Sequence, residues 1–149
     1  IEIVVSLVEE YQLEAVQLHG DETVDYVKQL KQHLPKVEII KVFGIQDEFN
    51  FEFLKPYEEV VDYFLFDTKG KERGGNGVVF NWQVLQNYNL TKPFFLSGGI
   101  GLEKVDEINK IKKTGLPIHA LDVNSKFETK PGVKSIDKLK KFKKLLVKI

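Results

Sequence analysis

Short apolar runs alternate along the chain with longer segments in which apolar residues recur every three or four positions. Runs of the first kind have the length of buried strands, and segments of the second kind have the period of amphipathic helices. We therefore predict five strands, at residues 15–18, 37–43, 62–66, 93–96 and 118–123. We predict six helices, near residues 1–12, 21–34, 47–57, 80–88, 102–114 and 135–148.

The alternation of strand and helix indicates a parallel sheet covered by helices, which is the α/β class. Five strands fit a complete doubly wound sheet, whereas a (β/α)8 TIM barrel has eight strands and usually at least about 200 residues. The chain has 149 residues and opens on a helical pattern, while a doubly wound domain normally starts on a strand. We therefore expect one domain over residues 1–149, a (β/α)8 barrel whose front part is missing from this sequence.

Composition narrows the classes of partner. The chain has 22 Lys and Arg residues and 22 Asp and Glu residues. It therefore carries no net charge that would attract nucleic acid or an anionic membrane. No apolar run approaches the roughly 20 residues that span a bilayer, and no signal-peptide pattern is present. The absence of cysteine excludes disulfides and thiolate metal sites. We expect a cytoplasmic protein.

Four of the predicted strands end in polar or glycine-rich sequence. The endings are Leu18-His19-Gly20, Phe66-Asp67, Ser97-Gly98-Gly99 and Asp122-Val123-Asn124-Ser125. In parallel α/β folds the carboxyl ends of the strands carry the site. The sequence therefore predicts one rim with one site.

Asp67 follows an apolar run, Tyr63-Phe64-Leu65-Phe66. A carboxyl group in that position is partly removed from water, which suits a general acid. The alternative is a structural role, since Asp readily caps backbone donors in loops and at helix starts.

The glycines of Ser97-Gly98-Gly99 allow backbone N–H groups to approach an anion, and a helix start follows them. The Asn124-Ser125 turn adds further N–H and hydroxyl donors. Phosphate sites of barrels commonly lie after the seventh and eighth strands. We expect Gly98, Gly99, Asn124 and Ser125 to bind phosphate, with a plain tight turn as the alternative.

Other candidates are less specific. His19 is placed to act as a base or as a hydrogen-bond donor to a substrate, or simply to cap the next helix. The cluster Gly74-Gly75-Asn76-Gly77 lacks the spacing of a dinucleotide fingerprint, and it suits either a lid or a simple turn. His33 and His119 lack ligands at metal spacing, so we expect no metal site.

The ordered motifs resemble those of the phosphoribosylanthranilate isomerase family over essentially the whole chain. They are QLHGDE at 17–22, FLFDTK at 64–69, GGNGVVFNW at 74–82, LSGGI at 96–100 and ALDVNSKFETKPGVK at 120–134. The resemblance implies a (β/α)8 barrel of tryptophan biosynthesis, represented here by its last five strands, the first three being absent. It also implies an Amadori rearrangement of N-(5′-phosphoribosyl)anthranilate without a metal or organic cofactor.

The resemblance assigns roles to the residues already singled out. Asp67 takes the position of the acid that protonates the furanose ring oxygen and opens the sugar. Gly98, Gly99, Asn124 and Ser125 take positions that hold the phosphate. Asp122 ends the last strand and is expected to face the substrate or to orient its neighbours, and His19 remains a candidate for substrate binding.

The departures concern the front of the barrel. The family's general base is a cysteine that ends the first strand, and an arginine that meets the anthranilate carboxylate also lies in the front part; this chain contains neither segment. We expect the 149 residues alone to be inactive.

Alternatives to this function are another sugar-phosphate barrel, such as a phosphoribosyl-formimino isomerase or a tryptophan synthase α subunit, and a non-catalytic phosphoribosyl-binding fragment. The state is predicted to be monomer or homodimer.

Overall fold

The computed structural model describes residues 1–46, 48–68 and 82–146. Its main sheet has five strands in the order β1-β2-β3-β4-β5, and every neighbouring pair is parallel. The strands are β1 (Ala15–Leu18), β2 (Glu38–Ile45), β3 (Tyr63–Thr68), β4 (Phe94–Ser97) and β5 (Ile118–Leu121).

The α-helices precede, separate and follow these strands. They are α1 (Glu2–Tyr11), α2 (Val24–His33), α3 (Lys55–Glu58), α4 (Val105–Lys112) and α5 (Ile136–Leu145). Short 3-10 helices cover Phe51–Leu54, Trp82–Asn87, Leu102–Lys104 and Ser125–Phe127, and a small antiparallel hairpin is formed by β6 (Glu128–Lys130) and β7 (Val133–Lys134). No helix of the described ranges is long and apolar enough to cross a membrane.

The strand order distinguishes the two architectures that the sequence left open. A doubly wound sheet reverses its strand order at a switch point, whereas the described strands run in simple sequence order. Because crossovers between parallel strands are right-handed, a sequential order places every connecting helix on the same side of the sheet. This winding is that of a (β/α)8 barrel.

The helix-facing side of the sheet forms an aromatic core. Phe64 and Phe66 alternate along β3, pair in register with Phe94 and Leu96 of β4, and are fully buried with them. The rings of Phe66 and Phe94 lie 4.6 Å apart between centroids, and Tyr88 packs against both. Alternation then directs Leu65 and Asp67 to the opposite side, which is the barrel interior.

An ion pair ties the amino ends of the strands together. Lys31 of α2 lies 2.7 Å from the carboxylate of Asp62, which directly precedes β3. The same oxygen of Asp62 accepts a hydrogen bond of 2.7 Å from the backbone N–H of Ile39. This pair therefore joins α2, β2 and β3 at the edge of the sheet opposite the predicted rim.

Several predicted helix boundaries were wrong. The segment predicted as a helix over 80–88 is a 3-10 helix from Trp82. The backbone N–H of Tyr88 donates to the carbonyl of Leu85, three residues back. The segment predicted over 47–57 begins only at Phe51, because the side chain of Asn50 accepts from the N–H of Glu52 and starts the turn there. Residues 47, 80, 81 and 147–149 lie outside the described residues.

The last part of the chain also differs from the prediction. β5 ends at Leu121 rather than at residue 123, and α5 ends at Leu145 within the predicted 135–148. The hairpin of β6 and β7 was not predicted. Its signal is the Pro131-Gly132 dipeptide, in which Gly132 adopts a φ of 80° that favours glycine in a tight turn.

Candidate active site

The carboxyl ends of the five parallel strands lie along one edge of the sheet. In register, Gly44 of β2 lies beside Asp67 of β3, and Asp67 lies beside Ser97 of β4. His19 directly follows β1, and Asp122 directly follows β5. The structure therefore places the predicted strand endings on a common rim.

Asp67 is half-buried at this rim. It lines a cavity of about 370 Å³ between the loop after β1 and the ends of β2 and β3. His19 lines the same cavity, together with Lys41 and the aromatic rings of Phe43 and Tyr57. A carboxyl group that is partly removed from water and faces a cavity is well placed to exchange a proton with a bound molecule.

A second, smaller cavity of about 140 Å³ lies at the ends of β4 and β5. All four residues predicted to bind phosphate line it, namely Gly98, Gly99, Asn124 and Ser125. Ser97 and Asp122 line it as well, so the two loops that follow β4 and β5 form its opposite walls.

Glycine is required by the backbone at the first of these loops. Gly98 and Gly99 have φ angles of 96° and 62°, a region that L side chains rarely adopt. A Cβ added to Gly99 would meet nothing within 4 Å, so conformation rather than space demands the glycine there. Backbone N–H groups in consecutive turns of this kind form concave binding sites for anions.

Asp122 is exposed and links the ends of two strands. Its carboxylate accepts a hydrogen bond of 3.1 Å from the hydroxyl of Ser97, and its N–H donates to the carbonyl of Leu96 at 2.8 Å. A carboxylate repels a phosphate, so Asp122 is suited to orient Ser97 or to meet a hydroxyl of a ligand rather than to bind the anion itself.

The unpredicted hairpin supports the second loop of the small cavity. Lys134 of β7 donates a hydrogen bond to the side-chain oxygen of Asn124 and pairs with Glu128 of β6 at 2.6 Å. The hydrogen bond from Lys134 holds the pKa of Glu128 below its usual range. The hairpin therefore fixes the side chain of Asn124 beside Ser125.

An ion pair in the wall of the cavity that Asp67 lines was missed from the sequence. Lys41 is 2% exposed, and its ammonium group lies 3.1 Å from the carboxylate of Glu22. Burial acts to raise the pKa of Glu22, but hydrogen bonds from its own N–H, Lys41 and Gly20, with the charge of Lys41, lower it overall. The signal was a lysine within the apolar strand sequence Ile39-Ile40-Lys41-Val42-Phe43, where lysine is rarely buried without a partner.

Two histidines lie away from the rim. His119 stacks near Tyr63 and Phe95, with centroid distances of 4.5 and 5.1 Å, and His33 lies 2.8 Å from the carbonyl of Gln29 within α2. Over residues 1–46, 48–68 and 82–146, no group of three or more His, Cys, Asp or Glu side chains is arranged to hold a metal. The Gly74–Gly77 segment lies outside the described residues.

Comparison with known proteins places these features in a family. The family model of N-(5′-phosphoribosyl)anthranilate isomerase matches residues 1–144. The chain is 41% identical over 132 residues to that isomerase from Parabacteroides distasonis, a match that covers 89% of this chain and 58% of the relative. It is 40% identical over 126 residues to the enzyme from Petrotoga mobilis, covering 84% of this chain and 56% of the relative.

Solved structures agree with the sequence relatives. The chain superposes on phosphoribosylanthranilate isomerase from Thermotoga maritima with a TM-score of 0.73 and 28% identity, covering 97% of this chain and 65% of that one. The enzyme from Thermus thermophilus gives a TM-score of 0.71 at 27% identity, covering 97% and 66%. The predicted barrel fold is thus confirmed, and the chain spans less than 60% of the length of the two curated relatives. This protein belongs to the N-(5′-phosphoribosyl)anthranilate isomerase family.

Proposed function

We propose that the protein serves as the isomerase that converts N-(5′-phosphoribosyl)anthranilate into 1-(o-carboxyphenylamino)-1-deoxyribulose 5-phosphate in tryptophan biosynthesis. The observation that carries this proposal is the position of the half-buried Asp67 one strand away from the glycine-lined cavity at the ends of β4 and β5. The matches to two relatives with this name cover 89% and 84% of this chain.

The spacing suits a ribose 5-phosphate. Asp67 and Ser97 are register partners on adjacent strands, which are separated by about 5 Å. A phosphate held between Gly98–Gly99 and Asn124–Ser125 would place the attached sugar over the end of β4. The furanose ring then comes within reach of the Asp67 carboxyl group on β3.

The chemistry divides between an acid and a base. Protonated Asp67 gives its proton to the furanose ring oxygen, the C1′–O bond breaks, and the anthranilate nitrogen takes up the positive charge as an iminium. A base then removes the C2′ proton to give an enolamine. Protonation of C1′ and loss of the proton of the C2′ hydroxyl then give the ketone. Electrons move only within the substrate, so the rearrangement balances without an external oxidant or reductant. The family resemblance assigns the base to a cysteine, which these 149 residues do not contain.

Because these 149 residues contain no cysteine to act as the base, one alternative stays open. It is a domain that binds phosphoribosyl ligands without turnover. Such a domain would retain the phosphate cavity but would not depend on the proton of Asp67. We further propose a cytoplasmic location, a small-molecule substrate and a monomeric or homodimeric state; the solved Thermotoga maritima structure is of monomers generated from a dimeric isomerase.

Replacing Asp67 by Asn in the complete natural protein is expected to lower kcat by at least about 100-fold, because the amide cannot supply the proton. Binding of a product analogue, measured by calorimetry, should change little. Asp21→Asn is the matched control, since Asp21 is an exposed carboxylate on the same cavity, and it should leave kcat within about twofold. Full activity of Asp67→Asn would contradict the assignment of Asp67 as the acid.

Replacing Gly99 by Asp should raise the KM for substrate and the inhibition constant of inorganic phosphate by about tenfold or more, because it sets a negative charge beside the bound phosphate. Gly115→Asp is the control for backbone strain. Gly115 also has a positive φ, of 80°, and open space at its Cβ, but it lies in the turn between α4 and β5, which precedes β5 and so is away from the rim. An unchanged KM in Gly99→Asp, or an equal rise in Gly115→Asp, would show that phosphate binds elsewhere.

A further inference from the structure

We propose that Lys41 and Glu22 form a positioning pair that fixes the His19–Gly20 peptide at the rim and, through it, the imidazole of His19 against the substrate. The inference deepens the proposed function, because the substrate faced by His19 is the one proposed above. Neither residue was among the candidates from the sequence, and neither needs to touch the reacting atoms.

The ammonium group of Lys41 makes three polar contacts, two of them to the loop after β1. Lys41 donates to the carbonyl of Gly20 at 2.8 Å and to its neighbour Val42 at 3.2 Å, and it pairs with Glu22 at 3.1 Å. Its side chain is 3% exposed and that of Glu22 is 23% exposed. A charge buried to this extent is retained only where it is paired and hydrogen-bonded.

Both backbone groups of Gly20 are bound by this pair. The carbonyl accepts from Lys41, while the N–H donates to both carboxylate oxygens of Glu22 at 3.1 Å. The peptide that joins His19 to Gly20 is therefore held through its N–H, and the next peptide, between Gly20 and Asp21, is held through its carbonyl. A Cβ at Gly20 would lie 3.0 Å from the carboxylate of Glu22, so a larger residue there would require that carboxylate to shift.

A third element holds the loop from the other side. The hydroxyl of Tyr57, on α3, donates to the backbone carbonyl of Glu22 at 3.0 Å. The loop is thus attached to β2 through Lys41 and to α3 through Tyr57. The hydrogen bonds of Lys41 and of the Glu22 carboxylate are charge-assisted, which makes them stronger than the neutral bond from Tyr57.

Holding this loop in place matters for the cavity, because His19 lines it together with Asp67. His19 is itself exposed, and no hydrogen bond of its imidazole is seen among the described contacts. The protein therefore sets the position of His19 through its backbone, and contact with the substrate sets the χ angles of the imidazole. A catalytic arrangement loses activity steeply when a contacting group moves by about 1 Å, so fixing this peptide has a direct effect on turnover.

Glu22→Gln tests the proposal, because glutamine keeps the size of the side chain and removes its charge. In the complete natural protein we expect the imidazole NMR signals of His19 to shift or broaden, while those of His33 and His119 remain unchanged. Asp62→Asn is the matched control, since it breaks the Lys31–Asp62 pair at the other edge of the sheet. That control should lower stability without moving the signals of His19.

A double-mutant cycle supplies the activity readout. We expect Glu22→Gln to lower kcat/KM about tenfold in the wild-type background and to have no further effect in a His19→Ala background. Additive losses in the two backgrounds, or His19 signals that are unchanged in Glu22→Gln, would overturn the positioning role. The double variant Lys41→Met/Glu22→Gln removes both charges of the pair and should reproduce the loss seen in Glu22→Gln.

The two readouts separate the inference from the proposed function. If the complete protein lacks isomerase activity, the proposed function fails, while the NMR signals of His19 still decide whether the pair positions the loop. If activity is present but the cycle is additive, the proposed function stands and the pair has only a structural role.

The pair also predicts a pH dependence of stability. Because the pKa of Glu22 is lowered in the folded protein from 4.5, the stabilisation by its ionised form is present above pH 4.5 and is lost as the pH falls further. The groups around it are Lys41 on β2, Tyr57 on α3, and His19 and Asp21 on its own loop, all of which Glu22→Gln retains. The difference in Tm between wild type and Glu22→Gln should therefore shrink below pH 4.5, and a constant difference would contradict an ionised pair.

Discussion

The sequential winding of parallel strands is the constraint on which the rest of the structure depends. Right-handed crossovers place the helices on one side of the sheet and bring each strand to the same edge at its carboxyl end. Residues far apart in sequence, from His19 to Ser125, consequently line two cavities on one rim. The apolar contacts of Phe64, Phe66 and Phe94 stabilise this arrangement from the helix side, and they leave the opposite side of β3 to carry Asp67.

Ionic contacts rather than apolar packing shape the loops at the rim. Lys41 and Glu22 hold the loop after β1, and Lys134 with Glu128 holds the turn at Asn124. The first pair joins its loop to β2 of the main sheet, whereas the second links β6 to β7, and Lys134 contacts Asn124 from that hairpin. The Lys41 pair is the more deeply buried of the two, and removing one partner there leaves a charge with little access to water.

The sequence predicted the strands and the rim well because both depend on local patterns. Apolar runs located the five strands to within a few residues, and their polar endings indicated that His19, Asp67, Gly98, Gly99 and Asn124 share one rim. The helices near residues 51 and 82 were predicted less well, since caps and hydrogen bonds between residues three apart decided their form. Lys41 could not be assigned from its strand alone, because its partners lie about 20 residues earlier in the chain and meet it only in the folded sheet.

The central claim is that one rim binds the phosphate and presents Asp67 to the sugar of the same molecule. A crystal structure of the complete natural protein with a stable analogue of the product tests this claim most directly. We expect the phosphate between Gly98–Gly99 and Asn124–Ser125, with the Asp67 carboxyl group within hydrogen-bond distance of the oxygen that closes the furanose ring. A phosphate bound outside this cavity, or an Asp67 carboxyl group turned away from the sugar, would contradict the account.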